Sequence, residues 1–221
     1  ERIGGPFDDY PWRFVLCDYL PGRPSCAVGL DAAQRAAACE PLARFLAALH
    51  GLPLSDPAVA AAPEDELDRM LPSVRIARAE RDIGRALGAG LIDDGTPFER
   101  ILAALPATWR PGTRALVHGD LYARHLLVDD DGRPCAVIDW GDVHRGEPAL
   151  DLSFPACFLP PGSRRAFERH YGAIDDGDWA AARMKGVQHA LNIGLFGLEV
   201  RDHDLAAEAR RSLDHLAADA D

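Results

Sequence analysis

Lysine is nearly absent from this chain. Of its 24 basic residues only Lys185 is a lysine, and with 35 acidic residues the net charge is −11. Such a surface repels phosphodiester backbones and anionic bilayers, which argues against nucleic acid and membrane as partners. It would draw in a cationic small molecule, although an ordinary acidic soluble protein carries the same balance. Long apolar runs are missing too. None reaches the roughly 20 residues of a membrane-spanning helix, and the N-terminus has no signal-peptide form. No CxxC pair occurs, and the five cysteines (17, 26, 39, 135 and 157) are odd in number and scattered. That pattern argues against a disulfide framework or zinc site and predicts reduced, mostly buried thiols in a cytoplasmic protein. Internal repeats, low-complexity linkers and a GxSxG elbow are also absent, and nothing sets an oligomeric state. With 48% of the 221 residues hydrophobic, there is apolar material for one good-sized domain or two small ones.

What is present concentrates between Leu116 and Leu152. His118-Gly119-Asp120 is followed by His125, and Ile138-Asp139-Trp140 closes an apolar run. Ala115 to Val117 and Leu126 to Val128 are short apolar strands. Asp129 to Gly132 predicts a hairpin turn and Cys135 to Ile138 the return strand. This order is expected to bring Asp120, His125 and Asp139 to one end of a small sheet. Phosphoryl transfer needs such a cluster. One carboxylate accepts the proton of the attacking hydroxyl, and hard oxygen holds Mg²⁺ against the nucleotide phosphates. A lone HGD or IDW triplet proves little and suits a solvated turn; the full ordered set is a specific signal.

The set resembles the aminoglycoside phosphotransferase (choline-kinase-like) family, whose pattern is HGDxxxxN, a strand, IDW or IDF, and then GxPxxDL. The last element is matched by Gly146-Glu147-Pro148-Ala149-Leu150-Asp151-Leu152. The resemblance implies an α+β fold of protein-kinase type, with Asp120 as catalytic base and Asp139 as a metal-binding aspartate. Asp151 would tie a helix start to the catalytic loop. ATP or GTP is implied as donor, Mg²⁺ as cofactor, and a small-molecule hydroxyl, antibiotic-like or metabolic, as acceptor. His125 departs from the pattern, because most of the family has asparagine there as a second metal ligand. Imidazole suits Mg²⁺ less well than oxygen. His125 would therefore bind directly, act through water or favour a softer ion, unless it is a loop histidine that touches no metal. The macrolide phosphotransferase branch also carries histidine at this place, which adds macrolides to the expected acceptors.

The family's N-terminal lobe carries a phosphate-covering loop and a strand lysine. No Gly-rich loop followed by an apolar strand with lysine is found here, and the chain starts at Glu1. The expectation is a hinge plus a mostly helical C-terminal lobe, with the nucleotide lobe largely absent. Residues 1–24 would end that lobe and form the hinge; 25–221 would be the helical lobe, carrying the catalytic hairpin 115–140. By resemblance, the backbone of Cys17, Asp18, Tyr19 and Leu20 grips the nucleotide base, and Leu127 and Ile138 floor the pocket. An ordinary strand and turn, and plain core, are the other readings. The rival to an enzyme is a truncated or degenerate binding module without transferase activity.

Elsewhere, Glu1 to Pro11 predicts loop and Trp12 to Tyr19 a strand. Asp31 and Gln34 have capping-box spacing, and Pro41 is expected to kink or divide the helix running to His50. Leu42, Phe45, Leu46 and Leu49 form its apolar face, with His50 as a packed helix-end residue. Pro63 to Leu87 predicts one or two helices broken near Pro72, with their charges on a solvated face. Thr96, Ser163 and Asp178 are expected helix caps, and Val187, Leu191, Leu195 and Leu198 a core stripe. Arg124 either offsets phosphate charge or pairs with Asp139 or Asp151. Acidic residues at 175, 176, 178, 199 and 202 suit helix caps and surface as well as they suit an amino group on the acceptor.

Overall fold

The apolar runs able to pair as strands are only a few residues long, and the strands are correspondingly short. A computed structural model describes residues 2–16 and 18–219, so Cys17, expected at the hinge, lies outside the described residues. In chain order the elements begin with β1 (Arg2–Gly4), β2 (Phe14–Leu16) and β3 (Arg23–Pro24). The helices α1 (Ala32–Ala37), α2 (Cys39–His50), α3 (Pro57–Ala60), α4 (Pro72–Gly88) and α5 (Thr96–Ala103) follow. The motif stretch supplies β4 (Ala115–Val117), β5 (Leu126–Val128), β6 (Pro134–Val137), a 3₁₀ turn at Trp140–Asp142, and β7 (His144–Gly146). The chain then runs through α6 (Ala149–Phe158), α7 (Arg164–Tyr171), α8 (Asp176–Val200) and α9 (His203–Ala218). The fold is α+β, as expected.

The sheet arrangement corrects the single small sheet expected for the motif stretch. β5 pairs with β3 and β6, whereas β4 pairs with β7, so the strands around the site belong to two sheets. The turn after Asp139 sends the chain back along β4, placing His144 opposite Val117. β1 and β2 pair with Ile3 opposite Val15, so the segment before Pro11 is not all loop. The rings of Phe7 and Tyr10 close that ribbon against Phe14, with centroids 5.8 and 6.1 Å away. Among the described residues only Phe14–Leu16 of the stretch from Trp12 to Tyr19 are strand, and Trp12, Arg13, Asp18 and Tyr19 are not, which shortens the expected strand.

The capping box at α1 is complete. Gln34 N–H donates to Asp31 Oδ1 at 2.8 Å, and Asp31 N–H donates to Gln34 Oε1 at 3.0 Å. Pro41 falls in the first turn of α2, where its missing N–H costs little. Its ring opposes the carbonyl of Ala37, and the helix divides at Ala38. Leu42, Leu46 and Leu49 are buried and Phe45 half-buried, as the spacing predicts. Residues 63–71 are not helical, and the charges of α4 are not all solvated. Arg75 is buried and donates to the carbonyls of Leu67 (2.6 Å) and Asp68 (2.9 Å), drawing that segment onto the helix.

Two caps shift. Gly95, not Thr96, precedes α5, with Asp94 accepting from Thr96 N–H at 2.9 Å. Asp175, not Asp178, caps α8; Asp178 instead accepts from Trp109 Nε1–H at 2.9 Å and pairs with Arg114. The stripe on α8 turns as well. Val187 and Leu191 are buried, but Leu198 is 41% exposed, because α9 lies against the glycines of α8. A Cβ on Gly197 would stand 2.9 Å from the Ala206 nitrogen. All ten residues of α6 are buried, so this helix is the centre of the core. Cys39 and Cys157 are buried, but Cys26 is half-buried and Cys135 exposed, which corrects the expectation for the thiols. Among the described residues no helix is long and apolar enough to cross a membrane.

Candidate active site

Four buried or half-buried groups hold the loop that starts at His118. The Asp151 carboxylate, at the start of α6, accepts the backbone N–H groups of His118 (2.7 Å) and Gly119 (3.0 Å). His50, at the end of α2, donates Nε2–H to Asp151 Oδ2 at 3.1 Å, and its Nδ1 accepts from the Tyr171 hydroxyl at 2.8 Å. His118, fully buried, donates Nε2–H to the Ile138 carbonyl at 3.0 Å, and its Nδ1 accepts Asp120 N–H at 3.3 Å. The loop is thus fastened to the residue just before Asp139. Gly119 has φ +87°, and a Cβ there would lie 2.3 Å from the Asp142 carbonyl oxygen, so no side chain fits.

Asp151 therefore does what the motif implies, tying helix to loop. Burial by itself would raise its carboxyl, but the His50 ring and the two loop N–H groups outweigh burial and hold it below its ordinary value. A depressed folded-state value means the stabilisation is complete above the unfolded value and is lost as pH falls through the folded one. Urea unfolding of the wild type and Asp151→Asn should differ most near neutral pH and converge as the pH drops below about 4. Parallel curves over the whole range would remove this role.

Asp139 has φ 66° and ψ 62°, a left-handed conformation costing a non-glycine residue roughly 1–2 kcal/mol. It is held there by Ile138 N–H donating to the His125 carbonyl (3.0 Å) and Trp140 Nε1–H donating to the Val137 carbonyl (3.1 Å). The strain aims its carboxylate at His125. The His125 ring is buried, with Nδ1 2.7 Å from the Asp120 carbonyl oxygen and 3.8 Å from Asp120 Oδ2; its Nε2 is 3.2 Å from Asp139 Oδ2. Tyr122 packs edge-on against the imidazole at 4.3 Å. The side chains of Asp120 and Asp139 are 40% and 62% exposed, so both carboxylates open at one mouth with the histidine between and beneath them. The three residues singled out from the motif meet. Burial pushes the Asp120 carboxyl above its ordinary value, with His125, His118 and Lys185 pulling it down and Asp142 adding to the rise.

One residue stands elsewhere than expected. Arg124 pairs with Asp202, the cap of α9, and not with Asp139 or Asp151. Asp142 is held by Arg69, which also bonds Asp65 at 2.9 Å, and Arg145 pairs with Glu64. Asp18, Tyr19 and Leu20 are exposed, Leu127 is buried and Ile138 half-buried. Sequence reading gave no special part to Arg69 or to the tie made by His50. Their partners are 73 and 101 residues away, and no local pattern announces them.

Comparison with known proteins bears on the family and the fold. Residues 2–185 match the phosphotransferase enzyme family, APH. A 46-residue stretch, 21% of the chain, is 42% identical to the uncharacterized protein YcbJ of Bacillus subtilis (strain 168), and it spans only 15% of that relative's length. The structure of apo macrolide 2'-phosphotransferase MphH from Brachybacterium faecium is 27% identical with a TM-score of 0.50, over 88% of this chain and 68% of that one. The GDP and kanamycin complex of APH(2")-IIia is 23% identical with a TM-score of 0.53, over 98% and 74%. A fold shared over nearly the whole length, and a family match running from β1 into α8, leave one assignment: the chain belongs to the phosphotransferase enzyme family.

Proposed function

We propose that the intact protein transfers the γ-phosphoryl of ATP or GTP to a hydroxyl of a small molecule, with Asp120 as the base. The observation that carries this reading is the position of His125 between Asp120 and Asp139. The Asp120 carboxylate sits at the open mouth, where an acceptor hydroxyl can reach it. In the step, the hydroxyl proton passes to Asp120 as its oxygen bonds to phosphorus and the bond to the nucleoside diphosphate breaks. An elevated carboxyl makes Asp120 a stronger base than a free aspartate.

The donor set fits a divalent cation. Nδ1–H of His125 is committed to the Asp120 carbonyl, which leaves Nε2 turned toward Asp139 Oδ2 at 3.2 Å. With the ring neutral, Nε2 and the Asp139 carboxylate would offer two donors to a divalent cation. Among the described residues no three His, Cys, Asp or Glu side chains close around an ion by themselves. Magnesium does not require it, since water and nucleotide phosphates usually complete its shell. His125 and Asp139 would hold the ion, and once bound it neutralises phosphate charge. Replacing His125 by asparagine supplies hard oxygen in place of nitrogen. His125→Asn should therefore raise turnover with Mg²⁺ relative to Mn²⁺ by several-fold, about 2- to 10-fold. An unchanged ratio in steady-state assays would separate His125 from the metal.

The hinge reading draws support from Gly22. Its φ is +126°, and a Cβ there would meet Cys135 Sγ at 2.8 Å and Leu127 Cβ at 3.1 Å, so the backbone after Leu20 lies directly on the hairpin. Residues 18–20 would then present backbone groups to the nucleotide base, with Leu127 and Ile138 beneath it. Residues 1–24 would make up the end of the nucleotide lobe and the hinge, and the rest the helical lobe. Free thiols and a nucleotide substrate suit the cytoplasm. The similar structures are those of a macrolide phosphotransferase and of a GDP and kanamycin complex, so guanine and adenine nucleotides and both antibiotic classes belong in the test. Nucleotide consumption by the full-length protein should depend on an acceptor from a panel of macrolides, aminoglycosides and metabolic alcohols. Consumption that no acceptor stimulates, with either nucleotide, would sink the proposal.

A further inference from the structure

Cations gather beside the catalytic mouth although the chain as a whole carries a net charge of −11. Arg75, Arg78 and Arg81 lie three residues apart along α4 and line a surface groove of about 530 Å³. Little offsets their charge. Arg75 spends its donors on two neutral carbonyls. Among the described residues Arg78 has no carboxylate partner, and Arg81 stands 3.7 Å from Asp82, a carboxylate that Arg85 holds at 2.9 Å. Leu67 and Val74, 62% and 46% exposed, form an apolar wall of the same groove. Leu67 also lines the adjoining depression, which contains Arg69 and Asp142 together with Glu64 and Glu66, so the apolar wall runs on toward the turn that follows Asp139 while the cations stay in the groove along α4.

Lys185 lies on α8, the helix against which α4 packs. Its ammonium donates to the neutral Gln188 Oε1 at 2.8 Å. The charged groups around it are Arg75, Arg69 and Arg78, Asp120 from the catalytic loop, and His189 a turn further along α8. Burial, reinforced by the three arginines, brings Lys185 down to about 7, against the pull of Asp120. Arg69 is neutralised by Asp65 and Asp142, but the remaining cations have no such cover.

We propose that this groove binds an anionic group, phosphate or carboxylate, of an acceptor with an apolar body, and thereby points the acceptor toward Asp120. That the bound molecule is the acceptor rests on the kinase reading; the anion site does not. A polycationic aminoglycoside would meet like charge here and is disfavoured.

Because Lys185 is the only lysine of these 221 residues, its signal in protein grown with ¹³Cε-labelled lysine is the one that disappears in Lys185→Arg. Titrating the nucleotide-free protein with inorganic phosphate, and separately with phenyl phosphate, should shift that resonance saturably and raise its titration midpoint. Phenyl phosphate should bind more tightly because of the apolar wall. The exposed-site variants Arg78→Glu and Arg81→Glu should each weaken binding by about tenfold or more, whereas Asp139→Ala should leave it intact. A resonance indifferent to both probes overturns the proposal. So does binding that survives both charge reversals, or binding that disappears in Asp139→Ala, since that phosphate would be occupying the nucleotide site. Acceptor-stimulated nucleotide consumption tests the kinase reading separately.

Discussion

Asp120→Ala is expected to cut acceptor-dependent phosphoryl transfer by roughly 10²–10⁴-fold, the usual cost of losing a general base. The fold should tolerate the change, because the contacts that shape the loop use the Asp120 backbone. Its N–H donates to His118 Nδ1 and its carbonyl accepts from His125 Nδ1–H, and both survive truncation of the side chain. Nucleotide affinity should stay within about threefold, since in the proposed reaction the carboxylate would meet the acceptor hydroxyl and not the base or ribose. A coupled assay for nucleoside diphosphate, with calorimetric nucleotide binding on the same samples, checks both parts. Wild-type turnover by this variant would remove Asp120 from the chemistry.

The largest effect on stability is expected at Arg35, far from the chemistry. Arg35 and Glu208 have side chains only 1% and 5% exposed, and they pair with Arg35 Nη1 2.8 Å from Glu208 Oε1. The guanidinium also donates to the carbonyls of Leu30 and Phe158, each at 3.3 Å, and lies 4.6 Å over the Phe158 ring. One side chain thus joins α1, α6 and α9. Arg35→Met leaves Glu208 buried, with only Arg211 at 3.2 Å on its outer side. The expected loss is about 3–5 kcal/mol in urea unfolding, because an orphaned buried charge costs more than the pair contributes. The double variant Arg35→Met/Glu208→Leu should recover most of that loss. A single-variant loss under about 1 kcal/mol would mean that water reaches Glu208.

Much of the site was legible beforehand because its geometry is local. Asp120, His125 and Asp139 are joined by a short loop and a hairpin, and turn chemistry at Asp129–Gly132 dictates how the ends of the hairpin meet. The cap at Asp31 and the division of the helix near Pro41 are likewise written in a few adjacent residues. Where reading failed, the deciding partner was distant in sequence. Asp178 was expected to cap a helix but is drawn to Trp109 and Arg114. Arg124 was expected near Asp139 but finds Asp202. Leu198 follows the helical period of a core stripe yet faces solvent, because α9 takes the glycine side of α8.

The sequence by itself determined the chemistry on offer and the spacing of its three central side chains, since strand, turn and loop propensities act over a few residues. Tertiary structure alone decided what holds and surrounds them. It brought the His50 tie to Asp151, the Arg69 grip on Asp142, the Arg35–Glu208 pair and the cationic groove beside Lys185. Each of these joins groups from separate elements, and burial and charge are set by which helices pack together, a property no short window of residues contains.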